Sequence, residues 1–392
     1  MIAAFVARWV IKFPNTANHA NLAILMGSFL LAPSIVRNVF RSKAGNHKNI
    51  DAGPIAAVRA IATCVYFWAA FHKLNTDFFN PEVSSAVWYL DKLHGVVTGQ
   101  HISDAWLTAL APYAIWSAIL TEGFIFIFLL VPRFRKLGIC VGCALHLFLS
   151  LGGFADFGLI MIGAYASFLP DTPFQDQRKI KVGLSVMATG LLLATIFRYG
   201  FEQWMNFSPE FSEFTFGIIA APIFALSCLA FALNSDLCSI DNAPKRYSIV
   251  AFFVLCLWCL FPYIGLSNQG NLTMFSNLIT FADRSNHLII NTRKTKIFAF
   301  EEDVVEILEI DGFARFHSNQ DVTRSYLPLV SFSRSVELWK RHNSAPNGIV
   351  FRYRDEEHTV EDLDDFLPQN PFASRFLLFR MTPKTGPMKT SW

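Results

Sequence analysis

The sequence predicts an all-α polytopic membrane helix bundle of about eight spans, with a small extracytoplasmic α+β domain at its C-terminal end. Three observations predict this. The 392 residues are 53% hydrophobic and 16% charged, and 40 are Phe, whereas a soluble domain carries about 25% charged residues. Eight apolar stretches of roughly spanning length follow one another along residues 1–267. After about residue 267 the composition turns soluble. The expected domains are thus a transmembrane part, 1–267, and an extracytoplasmic part, 268–392.

The opening "MIAAFVARWVIKF" is interrupted by Arg8 and Lys12, and no small-residue cleavage site follows. It reads as an interfacial helix or the remnant of a truncated span, not as a cleavable signal. A spanning helix needs about 20 apolar residues. The candidates lie near 20–36, 54–72, 107–131, 137–152, 157–170, 182–200, 214–233 and 247–266. The fourth and fifth are short and joined by "LGGFADFG", so they are either two spans or one re-entrant pair.

The loops give this count a direction. Arg37, Arg41, Lys43 and Lys48 separate the first two spans, and Arg133, Arg135 and Lys136 follow the third. Arg178, Lys179 and Lys181 follow the fifth, and Lys245 and Arg246 precede the eighth. These are alternate loops, and the positive-inside rule makes their side cytoplasmic. Residues before the first span, and those after about 267, then lie outside.

In the C-terminal part, "KTKIFAF" and "NGIVFRYR" read as strands. "SRSVELWKRH" reads as a helix opened by a Ser cap, and "TVEDLDDFLP" as one opened by Thr359. No catalytic motif stands out in this domain, so its plainest reading is a stabilising lid.

Composition narrows the function classes. A net charge of +3, without basic runs, argues against nucleic acid as a partner. Of seven cysteines none lies beyond residue 259, so the C-terminal domain has no disulfide framework. Cys140/Cys143 and Cys256/Cys259 have the C-x-x-C spacing of zinc or redox sites. Both pairs sit in apolar runs, where small buried residues on one helix face are the better reading.

The residues that need explaining are ionisable groups in apolar runs, each costing roughly 2.5–3.5 kcal/mol on insertion scales. Glu122 and His146 lie at similar depth, about 15 Å above the cytoplasmic boundary at 1.5 Å per residue. Their helices are antiparallel neighbours, so a carboxylate–imidazole pair is expected, which fixes a ring tautomer. That pair either takes part in chemistry or only fixes helix packing. Lys73 ends the second span; it either snorkels to the headgroups or lines a site. His19, just before the first span, is either a polar cap or part of that site.

These residues lie in motifs that resemble a known family. "YFWAAFHKLNTDFF", Tyr66–Phe79, resembles the segment of vitamin K-dependent gamma-glutamyl carboxylase that carries its catalytic lysine. "ANHANL" resembles that family's Asn-His-x-x-Leu segment with its catalytic histidine. "TEGFIFIFLLVPRFRKLGICVGCALHLFLSL" resembles the helical pair that follows. The three occur in the family's order and cover roughly residues 1–170, within the broader, mostly bacterial group of horizontally transferred transmembrane domains. The segments that hold the family's propeptide and glutamate substrate have no visible counterpart, and the usual helix before the histidine motif is missing or shortened.

The resemblance implies a multi-pass enzyme of a bacterial inner membrane, using vitamin K hydroquinone or a related quinol. Lys73 would be the base and His19 would stabilise a developing anion, with Glu122 and His146 completing the catalytic set. Asn18, Tyr66 and His72 are the expected cofactor-binding residues. The reaction implied is carboxylation: oxygen adds to the deprotonated quinol, the resulting alkoxide takes a glutamate γ-proton, and carbon dioxide captures the carbanion. Membrane lipid and a peptide or protein substrate at the outer face are the expected partners. Two rival readings stay open: a non-catalytic quinone-linked membrane subunit, and a transporter, which would favour an inverted repeat and broken helices.

Overall fold

The structure is a computed structural model. It describes residues 18–40, 52–168, 209–233, 245–281, 284–310, 325–342, 346, 348–370, 374, 377–385 and 387–388. The expected span 182–200 lies outside the described residues, as do the opening segment before Asn18 and the basic residues between 41 and 51 and between 178 and 181.

Among the described residues eight α-helices longer than a single turn precede the sheet: α1 (Asn18–Phe40), α2 (Ala52–His72), α3 (Ser85–Thr98), α4 (Asp104–Leu130), α5 (Arg135–Leu151), α6 (Ala155–Tyr165), α7 (Pro209–Leu233) and α8 (Lys245–Ile264); seven of them follow the expected apolar runs, and α3 lies between the second and third of those runs. Among the described residues four segments are long and apolar enough to cross a membrane: Gly53–His72, Asp104–Leu130, Pro132–Leu151 and Arg246–Ile264. Ala155–Phe168 and Ala220–Ala232 are apolar but shorter. Short α6 joins α5 through the turn Gly152–Phe154.

The C-terminal part is an antiparallel five-stranded sheet in the order β4-β3-β1-β2-β5. Its strands are β1 (Val304–Ile310), β2 (Ser325–Pro328), β3 (Ile349–Tyr353), β4 (Glu356–His358) and β5 (Thr382–Pro383). β1 pairs with β2 from Val304↔Pro328 to Ile307↔Ser325, and its pairing with β3 shifts register between Ile307 and Glu309. Helix α9 (Leu329–His342) continues directly from β2. Val305, Ile307, Leu327, Phe332, Val336, Ile349, Phe351, Leu363, Phe366 and Met381 form the buried core of this layer.

Two expectations for this part change. "KTKIFAF" forms no strand; Thr292–Thr295 is a single helical turn and the residues after it are irregular. Their amides go elsewhere: Ile297 and Phe298 both donate to the Ile264 carbonyl, at 3.0 and 3.1 Å. The helix read from Ser333 starts earlier, at Leu329, so Ser333 is inside it and not a cap. "NGIVFRYR" does hold β3, and Thr359 does open a turn of 3-10 helix, Val360–Phe366. There the Asp362 carboxylate accepts from the Thr359 amide at 2.7 Å, a reciprocal cap.

The chain divides into two compact units. The helical unit holds Leu22–Ala70 and Tyr89–Leu255. The sheet-bearing unit holds Phe71–Trp88, Cys256–Trp392 and the described part of Met1–Asn21. The division therefore does not fall at residue 267: the end of α2, the segment after it and the last turns of α8 go with the sheet.

Candidate functional site

In the sheet-bearing unit the site is built on the end of α2. An apolar helix must end where its chain meets polar groups, and here the ending is specified by side chains. Asn75 is fully buried; its amide donates to the His72 carbonyl at 2.8 Å and to the Ser276 carbonyl at 2.5 Å. Its oxygen accepts from the Phe78 amide at 2.8 Å. The last carbonyls of a helix have no partner inside it, and Asn75 supplies one.

That turn buries both residues of the "HK" pair. His72 is fully buried, and its Nδ1 lies 2.8 Å from the Tyr263 hydroxyl. The two rings stack, with centroids 5.6 Å apart and planes at 23°. Lys73 is 6% exposed, with Nζ 6.0 Å from the centroid of the Phe78 ring. A lysine that snorkelled would be exposed at its tip, so the headgroup reading does not describe this side chain.

His287 completes the ring cluster. Its centroid is 4.7 Å from Phe71 and 5.3 Å from Tyr263. Its Nδ1 accepts from the amides of Ile289 and Ile290, at 3.2 and 3.1 Å, and its Nε2 meets the Phe71 carbonyl at 3.1 Å. That pattern fits one tautomer, with the proton on Nε2. Burial holds this imidazole below its ordinary pKa. A proton on Nδ1 would also break two backbone hydrogen bonds, so the ring is held neutral and oriented.

Under these groups runs Ser267–Phe281, largely buried although rich in Asn, Ser and Thr. Leu272, Phe275 and Asn277 adopt φ of 60°, 56° and 54°. Asn tolerates this region, but Leu and Phe are strained there, at about 1–3 kcal/mol each. The segment is held by many polar contacts. The Asn277 oxygen accepts from the amide and hydroxyl of Ser85, at 2.9 and 2.5 Å, and its amide donates to the carbonyls of Val83 and Met388, both at 2.8 Å. Asn18 belongs to the same arrangement, accepting from the Leu272 amide at 2.9 Å. Arg380, buried, donates to the carbonyls of Asn268 at 3.1 Å and Thr273 at 3.3 Å. Burial pulls its guanidinium down to about 10. Strain held in place by an over-determined polar frame is a feature of functional sites.

The helical unit holds a second group. Tyr66 on α2 is buried, with its hydroxyl 2.7 Å from His146 Nε2 on α5. The Tyr165 hydroxyl bonds that of Tyr66 in turn. The result is a buried chain, Tyr165–Tyr66–His146. Among the described residues His146 Nδ1 has no hydrogen-bond partner, which costs about 1–3 kcal/mol for a buried polar atom. Close packing makes the chain possible. Gly142 lies one turn before His146, and a Cβ there would sit 1.9 Å from the Tyr165 hydroxyl.

The expected Glu122–His146 pair is replaced. His146 takes Tyr66 as its partner, and Glu122 is half-buried on α4. A phenol does the orienting work expected of a carboxylate, without a second buried charge to desolvate. His19 is half-buried on the first turn of α1. The residues read from the sequence thus fall into two groups: Asn18, His19, His72 and Lys73 in the sheet-bearing unit, and Tyr66, Glu122 and His146 in the helical unit.

Sequence reading missed Tyr263, His287, Asn75, Tyr165 and Arg59. Arg59 was visible as a charge inside the second span. Its guanidinium donates to the Ser167 carbonyl, at 3.1 and 2.5 Å from Nε and Nη2, closing the end of the α6 region where carbonyls lack helical partners. Cys143 and Cys259 are buried on α5 and α8. Cys140 and Cys228 join α5 to α7, each thiol on the other's carbonyl at 3.9 and 3.8 Å. Among the described residues no group of three His, Cys, Asp or Glu side chains is placed to hold a metal ion. No family model, curated protein or solved structure matches the chain.

Proposed function

We propose that the chain is a polytopic membrane enzyme that takes a proton from a lipid-soluble quinol at the extracytoplasmic face, with Lys73 as the base. The observation that carries this reading is the burial of Lys73. An amine 6% exposed at the end of an apolar helix, with its Nζ 6.0 Å from the centroid of the Phe78 ring, is a costly arrangement for a structural residue. The same sheet-bearing unit holds strained backbone at Leu272 and Phe275, a feature that gathers at functional sites. The motif resemblance points the same way.

The side chains suit a quinol. Its ring is flat and apolar, and Phe71, Phe78 and Tyr263 offer aromatic faces. Its hydroxyl is the acid, and an amine within reach of that hydroxyl is a base of matching kind. When bound, such a cofactor supplies an acidic hydroxyl and reducing equivalents. With such a cofactor bound, the Nζ of Lys73 would accept the hydroxyl proton and hold it as an ammonium beside the oxygen that released it. Neutral His287 orients the Phe71 end of the helix. His19 is the proposed partner of the developing anion. Carboxylation of a peptide substrate is the fuller reaction the resemblance implies, in a bacterial inner membrane with the sheet outside.

The test is Lys73→Arg. Arg keeps charge and reach but remains protonated. In lipid nanodiscs with reduced quinol and oxygen, the Arg variant is expected to fold and to lose at least about a hundredfold in turnover, the lower range for a general base. Wild-type turnover would remove Lys73 as base. One observation favours a second reading, a non-catalytic quinone-linked subunit: the buried chain Tyr165–Tyr66–His146 suits proton movement coupled to electron transfer. Under it, quinone would co-purify with the protein and Lys73→Arg would leave that binding unchanged.

A further inference from the structure

We infer that the loop His287–Glu301 is a membrane-seated foot that fixes the sheet-bearing unit to the lipid headgroup and acyl boundary. The inference rests on α2 and α8 crossing a membrane and not on the quinol reading. Four observations carry it.

The loop is clamped at the ends of both apolar helices. On the α2 side, Leu288 donates to the Leu74 carbonyl at 2.9 Å, Thr76 donates to the Asn286 carbonyl at 2.9 Å, and Asn75 bridges to His287. On the α8 side, Ile297 and Phe298 donate to the Ile264 carbonyl, and the Thr295 hydroxyl donates to the Tyr263 carbonyl at 2.7 Å. The loop therefore lies at the level where these two helices stop.

What the loop displays is apolar. Leu288, Ile289 and Ile297 are 57%, 68% and 75% exposed, and Phe298 and Phe300 stack outward with centroids 5.9 Å apart. Large exposed side chains gathered on one loop mark an interaction surface. Arg293 and Lys294 are exposed on the same loop. A mixture of aromatic, aliphatic and basic side chains is the composition of an interfacial segment, since anionic lipid attracts the cations while the apolar groups enter the acyl boundary.

The display is built and held. The Lys296 Nζ and the Glu301 carboxyl meet in a buried contact at the loop's base. Gly265, at φ 77°, lets the Phe298 carbonyl approach to where a Cβ would sit 2.4 Å away. Buried polar groups spent on holding a loop apolar side out argue for a function in that display. A lipid occupant is favoured over a protein because the loop is hydrogen-bonded to the ends of two apolar helices of spanning length.

The full-length protein is reconstituted in nanodiscs of phosphatidylcholine and phosphatidylglycerol, with a diazirine-bearing leucine analogue at position 297, or at Leu367 as control. Illumination is expected to give lipid adducts at 297 at least about tenfold above those at 367. Arg293→Glu with Lys294→Glu is expected to lower the yield at 297 roughly fivefold or more, given about 1 kcal/mol for each cation near an anionic surface. Absence of lipid adducts at 297, adducts to protein instead, or equal yields at both positions would overturn the inference. An unchanged yield after charge reversal would overturn the role given to the two cations. Turnover plays no part in these readouts, so failure here leaves the quinol proposal standing, and the reverse.

Discussion

Glu301 shows how one buried side chain sets a pH response. It is fully buried, and burial pushes its carboxyl up to about 7 against the opposing pull of the Lys296 ammonium. The folded state then holds a proton that the unfolded chain, with a carboxyl near 4.5, has already released. Stability from this group is complete below about 4.5 and is lost as pH rises toward 7. Glu301→Gln removes that slope. Thermal unfolding in nanodiscs is expected to show the wild type losing more stability than the variant between pH 5 and 8. The difference is on the order of 3 kcal/mol, taking about 1.4 kcal/mol per pKa unit. Parallel pH curves would show that Glu301 keeps its charge in the fold. A second residue-scale test concerns His146, whose hydrogen-bond partner is Tyr66. A double-mutant cycle of Tyr66→Phe with His146→Ala should show a coupling of about 0.5–3 kcal/mol. The cycle of Glu122→Gln with His146→Ala should come closer to additivity.

Between elements, one close approach is backbone on backbone. A Cβ at Gly217 on α7 would sit 1.9 Å from the Ser150 carbonyl oxygen on α5. Neither backbone atom has a rotamer to retreat into, so Gly217→Ala must push the two helices apart. Overpacking of this kind costs about 1–3 kcal/mol, and sometimes more. Gly142→Ala has a different consequence, because its obstacle is the Tyr165 hydroxyl at the end of a side chain. Tyr165 is expected to swing away and release Tyr66, with a smaller stability loss than at Gly217. The ratio of the two losses, measured by unfolding in mixed micelles, checks the distinction; a larger loss at Gly142 would contradict it.

At the scale of the whole molecule, the alternate basic loops predict which side each segment occupies. A reporter active only outside the cytoplasm should work when fused after Trp392 and fail when fused after Arg135. The opposite pattern would place Lys73 on the cytoplasmic side and remove the outer-face site. The sheet's buried core runs only from Val305 to Met381, so a fragment of residues 290–392 is expected to unfold cooperatively. It is also expected to be less stable than the same layer in the full chain. Ser267 donates to the Leu378 carbonyl at 2.7 Å, and Asn268 accepts from the Arg380 amide at 2.6 Å, and the fragment lacks both partners.

What the sequence by itself determined is the apolar framework. α2, α4, α5 and α8 were legible because a spanning run is a local property: about 20 apolar residues in a row need no partner to be recognised. The Thr359 cap was legible for the same reason, since a cap and its carboxylate are three residues apart. Lys73 and His146 stood out because charge or imidazole in an apolar run is anomalous wherever the chain goes. Only tertiary structure decided what those residues meet. His72 and Tyr263 are 191 residues apart, and Tyr66 and His146 are 80, and no local pattern encodes such pairings. "KTKIFAF" failed as a strand because alternation describes a half-buried surface and not its neighbour. Here the Ile264 carbonyl, and not a strand, took its amides. The strain at Leu272 and Phe275 was invisible for a related reason. Their φ angles oppose local preference and persist because the surrounding hydrogen bonds outweigh it.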